Sequence, residues 1–252
     1  MLPYIQVGPF HLWTYGLMLA WGLWTAYYFF REEVKRRKLP VNSGVLMIGI
    51  AIAGIVGAKL YHVIVTTVLA EHQPVSWHSL RDPVGLAWGG GLIAGFAMLA
   101  WYARHKQVSI WSLLDAASPA AAVGYAFGRM GCFLAGDGDY GKPTSLPWGM
   151  SFPHGLVPTT QRVHPTPLYE LAGSLFVLFV LQQLSKRDLA PGTVFAVYLI
   201  LSGAFRFAVE FIRLNPPMLL GLTEAQVIAA ISVLAGFAIL ASSRMRTLAP
   251  AN

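Results

Sequence analysis

The chain has 252 residues, 56% hydrophobic and only 12% charged, with a mean hydropathy of +0.56. Soluble domains carry roughly a quarter charged residues, so this is a membrane-protein composition. The 18 basic against 11 acidic residues do not describe a nucleic-acid binder, because the cations fall in short blocks between apolar runs, and a single cysteine excludes an internal disulfide or a multi-cysteine metal site.

A helix needs about 20 mostly apolar residues to cross a bilayer. Such runs predict spans over residues 12–30, 44–68, 84–103, 110–127, 167–184, 193–212 and 225–241. The first run is long and lacks a preceding basic segment, so it reads as a spanning helix rather than a cleaved signal. The fourth is the least apolar, since Asp115 and Pro119 interrupt it. Arg31, Lys35, Arg36, Arg37 and Lys38 follow the first span, Arg104 and Lys106 the third, Lys186 and Arg187 the fifth, and Arg244 and Arg246 the last. Placing these blocks inside satisfies the positive-inside rule with the N-terminus outside and the C-terminus cytoplasmic. The expected fold is therefore an all-α integral membrane protein: one domain over residues 1–252, seven transmembrane helices, and a sizeable outer loop between the fourth and fifth. That loop, about residues 134–166, shows no sustained periodicity.

Several polar groups interrupt the apolar pattern. Tyr15 stands near the outer end of the first span, and Lys59 and His62 lie one turn apart in the second. The stretch "GRMGCFLAGDGDYG", Gly128 to Gly141, carries Arg129, the lone Cys132, and two aspartates among glycines. Small residues there let a neighbouring helix or a ligand approach the backbone. Asp137 and Asp139 are a weak metal signal and read better as turn caps or arginine partners. Cys132 reads either as a thiol activated by Arg129 or as a small packing residue. "HPTPLYE" places His164 before, and Tyr169 and Glu170 inside, the fifth span. In "FRFAVEFIR" the spacing puts Arg206, Glu210 and Arg213 on one helical face. Arg206 and Glu210 can neutralise each other, leaving Arg213 to reach the outer interface. Ionisable residues inside membranes mark functional sites, and grouped guanidiniums suit a phosphate. Arg129, His164, Glu170, Arg206, Arg213 and Tyr15 all approach the outer half of the bilayer, which suggests a pocket for an anionic lipid headgroup. Composition and spacing do not reveal a reaction.

The motifs "YGLM" (Tyr15–Met18), "GGGLIAG" (Gly89–Gly95), "GRMGCFLAG" (Gly128–Gly136), "HPTPLYE" and "FRFAVEFIR" resemble, in order and spacing, those of the phosphatidylglycerol–prolipoprotein diacylglyceryl transferases of bacterial inner membranes. The resemblance implies transfer of the diacylglyceryl group of phosphatidylglycerol to the lipobox cysteine at a prolipoprotein signal peptide, releasing glycerol phosphate, without metal or organic cofactor. It implies that Arg129, Arg206 and Glu210 carry catalysis. Arg129 and Arg206 would bind the phosphate and Glu210 would hold Arg206, while Tyr15, Gly90, Gly91, His164, Tyr169, Glu170 and Arg213 line the substrate site. The outer loop would then be periplasmic. Three positions depart from the family pattern: Gly89 where a histidine is usual, Cys132 in place of asparagine and Ser202 in place of tyrosine. A different acceptor for the same lipid, or a lipid-binding role without turnover, stays open on those departures.

Overall fold

A computed structural model describes residues 2–65 and 87–248; the ends of the second and beginning of the third expected spans lie outside the described residues. Among the described residues seven helices follow in chain order: α1 Thr14–Arg36, α2 Ser43–Val63, α3 Trp88–His105, α4 Ile110–Ala135, α5 Thr166–Ser185, α6 Thr193–Glu210 and α7 Glu224–Leu248. Four of them, α2, α5, α6 and α7, are long and apolar enough to cross a membrane. Two short antiparallel ribbons accompany the helices, β1 Tyr4–Val7 with β2 Phe10–Trp13, and β3 Met150–Phe152 with β4 Thr159–Val163. The fold is all-α as expected, with these short ribbons added to it. The second lies in the loop whose sequence shows no periodicity, because strands of three and five residues are too short to display alternation.

The chain divides into two compact units, residues 34–113 and residues 1–33 with 114–252. In the smaller unit α2 starts on Asn42, whose side chain accepts hydrogen bonds from the Gly44 and Val45 amides at 3.0 and 3.1 Å, filling two of the donors a helix start leaves open. Helices α2 and α3 meet through glycine. A methyl group built on Gly57 would lie 2.6 Å from the Gly90 carbonyl oxygen, and one on Gly90 would strike the Gly57 carbonyl. Such close backbone approach is how helices associate where no water drives them together.

In the larger unit the β1–β2 ribbon delivers the chain into α1, with Thr14 bonding the Pro3 carbonyl through both its amide and its hydroxyl. Gly22 of α1 faces Phe127 of α4. Ala122, Val177, Leu181 and Val194 form a buried core joining α4, α5 and α6. Gly203 and Gly236 bring α6 and α7 together, since a Cβ at either would press on the other helix's backbone. Asp115, the charge that weakened the fourth span, is buried and accepts from the Gly192 and Phe195 amides at 2.8 Å each. It thus caps α6 from another helix. Gly192, in a left-handed conformation, cannot cap α6 with a side chain of its own.

A backbone ladder ties together the segment between α4 and α5. Lys142 donates to the Ile212 carbonyl at 2.8 Å, Gly141 to the His164 carbonyl at 2.8 Å, and Thr144 to the Arg162 carbonyl at 2.9 Å. The segment after α4 is thereby held between β4 and the end of α6.

Three substitutions test this packing. Gly90→Ala should lower stability in detergent by about 1–3 kcal/mol through overpacking, whereas Gly89→Ala, with no described atom within 4 Å of its Cβ, should leave the melting temperature unchanged. Asp115→Ala should cost about 1–3 kcal/mol by orphaning two buried amides, and equal melting temperatures for mutant and wild type would refute the cap.

Candidate functional site

The site is a buried ion-pair centre in the larger unit. Arg129 comes from the last turns of α4, Glu170 from the second turn of α5, Arg206 and Glu210 from the end of α6, and Arg213 from just beyond it. Asp139 comes from the glycine-rich segment after α4. Glu170 is the hub: its carboxylate lies 3.3 Å from Arg129 Nε, 3.2 Å from Arg206 Nη1 and 3.3 Å from Arg213 Nη1. It also accepts the Tyr125 hydroxyl at 2.7 Å. Glu210 pairs with Arg206 at 2.7 Å, one helical turn back, and approaches Arg213 at 3.6 Å. Asp139 closes the cluster, one carboxylate oxygen on Arg213 at 2.7 Å and the other paired with Arg129. Three guanidiniums face three carboxylates, so the centre is electrically neutral as it stands.

The side chains of Glu170 and Glu210 are only 3% and 0% exposed. Isolated charges so buried would be prohibitively costly, and each is therefore multiply paired. Glu210 is further held by the Thr223 hydroxyl at 2.9 Å and the Asn215 amide. Thr223 itself starts α7 in a reciprocal cap: its hydroxyl accepts from the Gln226 amide while the Gln226 side chain accepts from the Thr223 amide. The entrance to α7 is thus wired to the ion-pair centre. Arg129 additionally lies over the Tyr125 ring, 4.9 Å from its centroid.

The expectation that Arg213 reaches out to the interface is corrected. It is buried, 8% exposed at the side chain, because α6 ends at Glu210 and the following turn folds Arg213 back onto Asp139 and Glu170. Tyr15 lies against Gly131, two residues after Arg129, where a Cβ would stand 3.0 Å from its ring. His164 Nδ1 is 3.2 Å from the Tyr169 hydroxyl, which also accepts from Trp148 Nε1 at 2.8 Å. Gly90 and Gly91 lie in the other unit, at the α2–α3 contact, as do Lys59 and His62. Tyr125, Asn215 and Thr223 carry no signal in the sequence that separates them from ordinary helix and loop residues. Ser202, in place of the usual tyrosine, bonds back to the Tyr198 carbonyl at 2.5 Å.

Cys132 lies beside the Asp137 carboxylate. The thiol and the two aspartates bring three potential ligand atoms within 4.8 Å of one another. Both Asp139 oxygens are already committed to arginines, so this grouping belongs to the ion-pair network. Burial opposes the charge of Asp139, but Arg213 and Arg129 outweigh it and hold the carboxyl below its ordinary value of 3.8. Burial pushes Asp137 above that value, against the pull of the neighbouring Cys132 thiol.

Apolar helices gathered around a neutralised arginine–carboxylate centre define a helical membrane protein with a polar site among its spans. Residues 3–242 match the family described as prolipoprotein diacylglyceryl transferase, and the chain belongs to that family. The phosphatidylglycerol–prolipoprotein diacylglyceryl transferase of Methylococcus capsulatus is 32% identical over 255 residues, covering 96% of this chain and 95% of its own. Its counterpart in Leptospira interrogans is 33% identical over 227 residues, 80% of this chain and 71% of the relative. The Clostridium tetani enzyme is 33% identical over 208 residues, 81% and 82% of the two chains.

The pH dependence of stability follows in sign. Asp139, with its pKa lowered on folding, stabilises the protein above its unfolded pKa and loses that contribution as pH falls through the lowered value. Asp137, raised on folding, acts in the opposite sense. Acid melts between about pH 4 and pH 2 should show a falling melting temperature in wild type and a flatter profile in Asp139→Asn. Parallel profiles would remove Asp139 from the ion-pair balance.

Proposed function

We propose that the protein transfers the diacylglyceryl group of phosphatidylglycerol to the lipobox cysteine of a prolipoprotein, in the bacterial inner membrane. The reading sets it there as one seven-span membrane domain, N-terminus outside and C-terminus cytoplasmic, with the arginine centre facing the outer leaflet. Membership of the family and the clustering of Arg129, Arg206 and Arg213 support it; the clustering is the observation that carries it.

In the reaction the acceptor thiol loses its proton, the thiolate attacks the glyceryl carbon bearing the phosphate, and a C–S bond forms as the C–O bond breaks. Glycerol phosphate leaves with both electrons of that bond, so its phosphate gains one negative charge. Guanidiniums already fixed by buried carboxylates can meet that charge without reorganising, which is where electrostatic catalysis is strongest. Arg129 and Arg206 serve as the phosphate ligands, and Glu210 orients Arg206. Glu170, shared by all three arginines, sets their spacing. Tyr15 and the His164–Tyr169 pair border the headgroup. Thiol deprotonation has no assigned base, since Gly89 stands where the family resemblance expects histidine.

Mass spectrometry of a lipobox peptide incubated with the protein and phosphatidylglycerol should find a diacylglyceryl adduct on the peptide thiol, with glycerol phosphate released. Arg129→Ala or Arg206→Ala should reduce turnover by roughly 10²–10³-fold while membrane insertion persists. Unchanged turnover in either variant would overturn the assignment. The double variant Gly89→His, Cys132→Asn should raise the rate if those positions limit it.

A further inference from the structure

We propose that Asp139 is an internal counter-ion that occupies the anion position between Arg129 and Arg213, and that its side chain swings out when the phosphate of the substrate enters. The inference rests on the phosphate-site reading above, in which Arg129 and Arg206 hold the phosphate; it adds Arg213 as a third ligand and names a residue that sets affinity.

Charge balance is the first argument. Arg129, Arg206 and Arg213 are matched by Asp139, Glu170 and Glu210. A phosphodiester entering this neutral set would leave a buried excess of negative charge, which the low-dielectric surroundings penalise heavily. Exchanging one carboxylate for the phosphate restores neutrality. Each side of that exchange keeps three cations and three anionic charges.

Which carboxylate leaves is settled by burial and anchoring. Glu170 and Glu210 sit on helices at 3% and 0% exposure, and Glu210 has the hydrogen bonds of Asn215 and Thr223 besides its arginines. Asp139 is 33% exposed, the only one of the three within reach of water, and lies outside any helix. Its two oxygens face two different guanidiniums, one each, as two oxygens of a phosphate would.

The backbone of Asp139 does not need to move. Its carbonyl is held by the Thr166 hydroxyl and by Arg213 Nη1 at 3.2 Å, and Gly141 next to it is pinned in the ladder to His164. Rotation of the side chain alone vacates the position. Arg213 stays in place through the carbonyl contact and through Glu170.

The test uses the full-length protein in lipid-free detergent with glycerol phosphate as probe, read by calorimetry and by thermal shift. Asp139→Asn keeps the size and a hydrogen-bonding group but removes the competing charge; Asp139→Ala removes the side chain. Both should bind glycerol phosphate roughly tenfold or more tightly than wild type and gain more thermal stability from it. Their KM for phosphatidylglycerol should fall as well. If wild type binds and both variants bind equally or more weakly, Asp139 is a fixed structural partner of the arginines and the inference is overturned. If neither wild type nor the variants bind, and Arg129→Ala changes nothing, the phosphate site itself fails and the inference falls with it.

Discussion

Everything in the larger unit is arranged around the need to keep charge neutral where water is scarce. Glu170 is the point of that constraint: one buried carboxylate accepting three guanidiniums and a tyrosine hydroxyl. Arginines are drawn from α4, from α6 and from the turn beyond α6, so the helices that carry them must converge on α5. Close glycine contacts make this possible, with Gly173 against Phe205 and Gly203 against α7. The ladder from Gly141 to Ile212 then fixes the turn that returns Arg213 to the centre. Packing and electrostatics here are one problem, since a looser helix contact would leave a charge without its partner.

A second capping device reinforces the same centre from two directions. Asp115 starts α6 at one end, and at the other end Glu210 holds Thr223 and so the start of α7. The two apolar helices are therefore positioned by polar contacts at their ends, while small residues set their separation. This division suits a bilayer, where apolar surface gains little from meeting apolar surface and hydrogen bonds confer direction.

Much of this was legible in the sequence. Hydropathy predicts helices where the described residues have them, four of which are long and apolar enough to cross a membrane, because apolar runs of spanning length are the strongest local signal a chain carries. The i,i+4 spacing predicts the Arg206–Glu210 pair, which forms at 2.7 Å. Spacing also grouped Arg213 with this pair, and it approaches Glu210 at 3.6 Å; that it is buried rather than at the interface follows from the turn after Glu210, about which periodicity says nothing. The β3–β4 ribbon was too short to announce itself. Tyr125 and Thr223 were invisible because their importance comes from partners 45 and 13 residues away, a property of the fold rather than of local pattern. Asp139 was recognisable as an arginine partner. That it bridges two arginines depends on the ladder bringing residue 213 beside it.

Sharing of carboxylates also constrains how such a chain can change over generations. Replacing any one arginine leaves three carboxylates sharing two guanidiniums, and replacing Glu170 leaves three guanidiniums sharing two carboxylates, so single steps within the centre leave a buried charge in excess. Viable routes run through compensated pairs, in which a base and an acid disappear together. Positions outside the shared network obey no such rule. Gly89 and Ser202 make no ion pair with the arginines, and each can drift alone. A lineage can in this way alter what approaches the lipid, one residue at a time, while the charged centre is inherited as a block.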